Sequence, residues 1–337
     1  MRRAHGDGSE PAATLAFRVV ALRRHRVSVA ATDVRDRARV WPGKMGMVFW
    51  YFGSDPIIWW AIALLLCGFA FATSVFRRPF FRASRCVGLL IIASLAILPF
   101  TYQTYPSGNA DKISQVRFRV PFDEPVTIFW GGNTQDVNYH VVAPDQRWAY
   151  DIVVIDDEDR TARGDGKSLE DYYIYDRPVL APAFGAVMLA INDEPDMPIG
   201  ELGGGTDPGG NQIVLRVADG EYLFLCHLKP GSVRVKKGDV VVAGREIARV
   251  GNSGNTSEPH LHIDLQDDVD FGEGLPLYFY GYTSDGKYVE RGMPRGGFEI
   301  IDDDIRLAGE TIEHVPQSTN DDRSTTRSTG TSPARTP

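Results

Sequence analysis

Ser257-Glu258-Pro259-His260-Leu261-His262-Ile263-Asp264-Leu265 sets two histidines one residue apart in an alternating apolar run. Side chains in a β-strand repeat every two residues, so His260 and His262 are expected to leave one face of a strand together. Two imidazoles on one face suit a metal site or a proton-transferring pair. They equally suit a strand whose wet face carries two solvated histidines, and the choice depends on what partners the rest of the chain supplies.

With 337 residues the chain is long enough for one or two domains with a sizeable core. Its 43% hydrophobic and 24% charged residues are those of a globular protein, and a net charge of -8 gives no reason to expect nucleic acid as a partner. The three cysteines, Cys67, Cys86 and Cys226, are odd in number and widely spaced. Neither a disulfide framework nor a cysteine-type zinc site follows, so any metal must be held by histidine and carboxylate.

Residues 1–46 are rich in arginine and show no sustained pattern, which predicts disorder. Met45 and Met47 stand just before the first patterned segment, and translation starting there would leave most of 1–46 unmade. From Ile57 to Phe76 the chain runs about 20 residues without a charge, enough for a helix to cross a hydrocarbon core of about 30 Å. A second apolar run extends from Cys86 to Tyr105, with Tyr102 and Tyr105 suited to a membrane interface. Arg77, Arg78, Arg82 and Arg85 lie between the two runs and mark a cytoplasmic loop, so residues 47–106 are expected to form a transmembrane hairpin with both ends outside. The basic segment 1–46 opposes that orientation where it is present. A cleaved signal peptide fits less well, because the arginines follow the first apolar run instead of preceding it.

After Pro106 short apolar runs alternate with glycine and proline, and long amphipathic helices are missing. Strands are expected at 116–120, 126–130, 148–155, 179–190, 212–217, 222–228, 239–242 and 247–250. The fold class is therefore mostly β, an antiparallel two-sheet or partly open barrel over 107–315, preceded by two membrane helices. Acidic, glycine- and proline-rich insertions at 156–167 and 192–210 are long enough to frame a groove. Residues 316–337 read as a flexible tail.

Of seven histidines, His5, His25 and His314 fall in segments expected to be disordered or terminal, leaving His140, His227, His260 and His262 in the β domain. A zinc hydrolase needs three protein ligands and an open position, so a carboxylate is sought. Asp151 interrupts an apolar strand, where an unpaired carboxylate is costly, and is the best candidate. Its plainer role is to bond turn amides or pair with Arg147. If 137–155 forms a hairpin turning at 143–146 with an even loop, His140 and Asp151 share a face; an odd loop separates them. Asp145 and Asp156 remain rival ligands.

The segment 209–265 resembles the core of the lysostaphin-type peptidoglycan metallopeptidases, the M23 family. The similar elements are Gly210-Asn211, Cys226-His227-Leu228 followed by Pro230-Gly231-Ser232, Lys237-Gly238-Asp239-Val240, Gly251-Asn252-Ser253-Gly254 and Pro259-His260-Leu261-His262. Upstream, Pro178-Val179-Leu180-Ala181-Pro182 with Gly185 is also similar, and the resemblance covers roughly 120–270. It implies that His262 is a zinc ligand, that His227 and His260 are the catalytic pair, and that His140 and Asp151 complete the metal set. The family's first histidine and aspartate are commonly three residues apart, whereas here eleven positions separate them.

The resemblance implies a zinc endopeptidase cutting peptide stems or cross-bridges of peptidoglycan, and the expected membrane hairpin, with both ends outside, would anchor it where cell wall is found. Of His227 and His260, one would carry the proton from water to the leaving amine and the other would steady the oxyanion. Asn211 would bind substrate or orient the site, or simply serve its turn. A second reading is a non-catalytic module of the same fold that binds wall peptides or regulates another hydrolase. A third comes from 235–244, similar to the hammerhead of biotinyl and lipoyl carriers, but residues 251–256 offer no lysine for a cofactor.

Overall fold

The computed structural model describes residues 44–54, 56–75, 87–88, 90–94, 104–202, 206–301 and 304–316. Two helices come first, α1 (Lys44–Ser54) and α2 (Pro56–Val75). The strands follow as β1 (Val126–Trp130), β2 (Tyr150–Val153), β3 (Pro178–Leu180), β4 (Gly185–Ala190), β5 (Asn211–Ala218), β6 (Glu221–Leu228) and β7 (Val240–Val241). After them come β8 (Glu246–Arg249), β9 (Leu261–Gln266), β10 (Phe279–Ser284), β11 (Lys287–Gly292), β12 (Phe298–Ile301), β13 (Asp304–Leu307) and β14 (Thr311–His314).

The architecture is mostly β and antiparallel. One ten-stranded sheet runs β11-β10-β14-β1-β2-β9-β6-β5-β4-β7, with two-stranded sheets β12-β13 and β3-β8 beside it. Alternation sorts its residues. Tyr150, Ile152, Leu261, Ile263, Leu265, Leu223, Leu225, Ile213 and Leu215 enter one buried apolar core, where the Tyr150 hydroxyl donates to Leu277 O at 2.7 Å. Across the central strands Asp151 lies opposite His262, and His262 opposite Cys226, so the polar residues of these rows share the other face.

Several expectations change. The 137–155 segment is not a hairpin: Tyr139–Val142 is a single 3-10 turn capped by Asn138, whose side chain accepts from His140 N. The 116–120 run contributes only an isolated bridge from Phe118 to Phe279, and 179–190 divides into β3 and β4. His314 is on β14 opposite Tyr282, inside the main sheet. The β10-β11 hairpin was signalled by Asp285-Gly286, both with positive φ (47° and 76°), the usual chemistry of a two-residue turn.

Lys44–Gly46, expected to be disordered, open α1, and α1 is fastened to the β unit. Met47 and Trp50 are buried with Tyr105, Trp50 Nε1 donates to Val142 O at 2.8 Å, Tyr51 donates to Asp145 at 2.6 Å, and Lys44 pairs with Asp268. Residues 1–43 and 317–337, with His5, His25 and Cys86, lie outside the described residues. Among the described residues no helix is long and apolar enough to cross a membrane. The run expected to form a second membrane helix is described as helix only at 87–88 and 90–94.

Candidate metal centre

Asp151 sits mid-strand on β2, one of the central strands, and is 5% exposed. His140 Nε2 lies 3.0 Å from one of its carboxylate oxygens, and His262 Nδ1 lies 2.8 Å from the other. His140 reaches Asp151 from the 3-10 turn, not from a paired strand. Its ring is fixed by Gln146 Oε1 at 3.1 Å and by Tyr139 at 4.0 Å between centroids. Ten residues lie between the pair in sequence because the turn and a short return precede β2.

His227 reaches the centre by a departure from the strand. Pairing of β5 with β6 shifts by one residue between Asn211↔Leu228 and Ile213↔Leu225, and His227 has a φ of 61°. In a regular strand His227 would follow Leu225 into the apolar core. The bulge and left-handed backbone turn it instead toward His260, ring centroids 4.7 Å apart. Gly210, with a φ of 60°, underlies this corner: a Cβ there would come within 2.3 Å of the Ser253 backbone.

Nδ1 of His227 donates to Ser253 O and Nδ1 of His260 to Glu258 O, each at 2.8 Å. A carbonyl can only accept, so both rings keep Nε2 as the open nitrogen. Burial lowers the pKa of both, with their imidazole neighbours adding to the effect in His227. Both therefore stand neutral near pH 7, each with a lone pair for a proton. His260 Nε2 is 3.5 Å from Asp151.

His262 lies between two carboxylates, with Asp264 3.2 Å from Nε2; Gln266 Nε2 holds the other Asp264 oxygen at 2.8 Å. Burial alone would lower the pKa of His262, but hydrogen bonds to Asp151 and Asp264 outweigh it and raise the pKa to about 10. For Asp151, burial opposes ionisation, yet the facing imidazoles of His140 and His260 and the hydrogen bonds from His140 and His262 hold its carboxyl well below the usual range. Asp264 was not singled out by sequence, although its place two residues after His262 puts it on the same strand face.

Two groups of donors meet here, His140/Asp151/His262 and His227/His260/His262, each with atoms within 4.8 Å of one another. The first fits zinc better: two imidazoles and one carboxylate are a known hydrolytic set. Asp151 and Asp264 have only imidazoles as ion-pair partners among the described residues, so a bound dication would supply the missing positive charge. The rivals are spent elsewhere, Asp145 on Tyr51 and Asp156 on Arg160 at 2.8 Å. Asn211 is committed to scaffolding. Its side chain accepts from Glu194 N at 2.9 Å and donates to Glu194 O and Leu228 O.

Residues 172–271 match the model of peptidase family M23. That match includes His227, His260 and His262 and stops short of His140 and Asp151, which join the site through the structure. Among solved structures, a mutant catalytic domain of the prophage-encoded M23 protein EnpA from Enterococcus faecalis is 19% identical. The alignment covers 47% of this chain and 94% of that one, with a TM-score of 0.31. The catalytic domain of the antimicrobial peptidase lysostaphin from Staphylococcus simulans is 28% identical over 30% of this chain and 68% of that one, TM-score 0.23. A zinc-containing peptidase from Vibrio cholerae is 19% identical over 48% and 39%, TM-score 0.30. No curated protein sequence matches the chain.

Proposed function

We propose that this chain is a zinc-dependent endopeptidase that cuts peptide bonds in peptidoglycan from the outer side of the membrane to which it is anchored. The observation that carries the reading is the convergence of His140, Asp151 and His262 with the two neutral imidazoles of His227 and His260. The match to peptidase family M23 supports the same chemistry.

His140 Nε2, an Asp151 oxygen and His262 Nδ1 would hold the metal. Zinc in such a donor set polarises a carbonyl and makes water acidic enough, with a pKa toward about 7, to serve as nucleophile. The protein's own groups handle the rest. The open Nε2 of His227 or His260 accepts the nucleophile's proton and returns it to the leaving amine; the other ring steadies the oxyanion only after its Nε2 has taken a proton from solvent. Asp264 keeps the Nε2 proton on His262, so that Nδ1 is the nitrogen left for the metal.

Membrane anchoring draws on two observations. In α2, Leu64, Leu65 and Phe69 are 62%, 74% and 70% exposed, an apolar surface that water does not favour. Trp50, just before α2, packs edge-on against Tyr105, the last residue of the second apolar run, at 5.3 Å. Chain that leaves and returns to one place crosses a bilayer an even number of times, which supports the hairpin and puts α1 beside the β unit.

The test is incubation of the full chain, zinc-loaded in detergent, with purified peptidoglycan, and mass analysis of released fragments. Peptide-bond cleavage by the wild type and none by His262→Ala is expected. Equal release by both defeats the reading.

A further inference from the structure

We infer that Glu258 is a recognition site for an ammonium group of the substrate peptide, set at the edge of the candidate centre. The inference rests on the peptidase reading only in naming the ligand a peptide.

The backbone of Glu258 is tied to the centre: its carbonyl accepts from His260 Nδ1 and from Thr256 Oγ1, each at 2.8 Å. Its carboxylate turns to Thr161 of the first insertion, whose Oγ1 donates over a long 3.4 Å, and has in reach the hydroxyl of Tyr172, just after that insertion, which also donates to Gly166 O at 3.3 Å. Neighbouring acids are paired, Asp156 with Arg160 and Asp176 with Lys229 and Arg249. No Lys, Arg or His forms an ion pair with Glu258 among the described residues. Burial raises the Glu258 carboxyl to about 7, the mark of a carboxylate with too few donors. The residue is only half-buried, so a ligand can reach it.

Its surroundings are built from both insertions. Gly200 N donates to Ser257 O at 2.8 Å, Asn252 N to Asp196 at 2.7 Å, and Tyr175 to Asp196 at 2.8 Å. The two insertions thus close on the segment that leads into His260. The second brings Asp193, Glu194, Asp196, Glu201 and Asp207 with no Lys or Arg from Ile191 to Leu215, and the first sets five acids against Arg160, Arg163 and Lys167, so the summed charge of the two insertions favours a cation.

The donors wanted here are those of an ammonium. Its three N–H groups match one carboxylate and the two hydroxyl oxygens of Thr161 and Tyr172. On a peptide such a group is a free amino terminus or the side chain of a diamino acid.

Equilibrium binding at pH 8 to the full chain stripped of metal separates these sources and needs no turnover. The probes are an N-acetylated, C-amidated tripeptide with a central lysine, the same peptide acetylated on the lysine, and that second peptide with its amino terminus freed. One amine-bearing probe should bind about ten-fold tighter than the fully acetylated one, the worth of a charge-assisted hydrogen bond. In Glu258→Gln that preference should vanish while the fully acetylated peptide binds as before. In Thr161→Val, which keeps the carboxylate, the preference should shrink but persist. Equal binding of all three probes, or a preference unaltered in Glu258→Gln, overturns the assignment. A chain that shows the preference yet releases no peptidoglycan fragments would sink the peptidase reading alone.

Discussion

Asp264 acts on the centre through His262, and its removal should be read in metal affinity before activity. Asp264→Asn keeps the shape and Gln266 as neighbour but loses the charge that fixes the Nε2 proton. Zinc affinity, measured by chelator competition, should fall about 10- to 100-fold; an unchanged constant would deny Asp264 its positioning role. Glu258 carries a pH signature of its own. Its pKa, 4.5 when unperturbed, stands near 7 in the folded chain, so between these values the folded state holds a proton that the unfolded state has released. Stability from this group is therefore present below about pH 4.5 and is lost as pH rises through about 7. Glu258→Gln should raise unfolding stability by about 1–2 kcal/mol at pH 8 and by little at pH 4.5, after allowance for the half-exposed site. Denaturant curves at the two pH values check it; equal effects at both would show that Glu258 is not desolvated. His227 shows why residue-scale reading from sequence stops short. Its neighbours announce a strand, and regular alternation would have buried it in the core.

Among elements, α1 has the strongest claim to an unexpected role. It braces the 3-10 turn that presents His140: Trp50 bonds Val142 O, Tyr51 bonds Asp145 just after the turn, and Tyr105, packed against Trp50 from outside the helix, donates from N to Val141 O at 2.7 Å. Trp50→Ala removes a side chain that is 5% exposed together with its hydrogen bond, and should cost about 2–4 kcal/mol. Thermal unfolding measures that loss, and zinc titration should show weaker binding because the turn is freed. A destabilised variant with wild-type zinc affinity would mean that α1 braces the fold and leaves the ligand alone. α1 carries no amphipathic signal, since Met45 to Gly53 hold no charge, and with an apolar run next to it the segment from Met47 onward was expected to belong to the membrane hairpin. Conversely, the parity argument could bring His140 and Asp151 to one face only through a hairpin with an even loop, and 137–155 forms no hairpin. The two meet because a capped turn delivers the imidazole across the strand.

At the scale of the whole molecule, the sheet and the apolar N-terminal helix make different demands on solvent. The ten-stranded sheet buries its apolar face within the β unit, while α2 leaves leucine and phenylalanine exposed. The full chain expressed in cells should therefore pellet with membranes and resist alkaline carbonate. Leu64→Lys combined with Leu65→Lys should shift it toward the soluble fraction, because a charge near the centre of a membrane helix costs about 2.5–3.5 kcal/mol. Wild-type chain in the soluble fraction would remove the anchor from the proposal.

What the sequence determined by itself is the β character and the residue types of the centre. Alternation with period two is a local property, and His260-Leu261-His262 with Asp151 in an apolar strand can be read without knowing what lies across the sheet. Tertiary structure decided the rest, because it depends on pairing. Register set Asp151 against His262, a one-residue shift turned His227 outward, and the first insertion met Glu258 while the second met Ser257. None of these contacts is encoded in the spacing of the residues that make it.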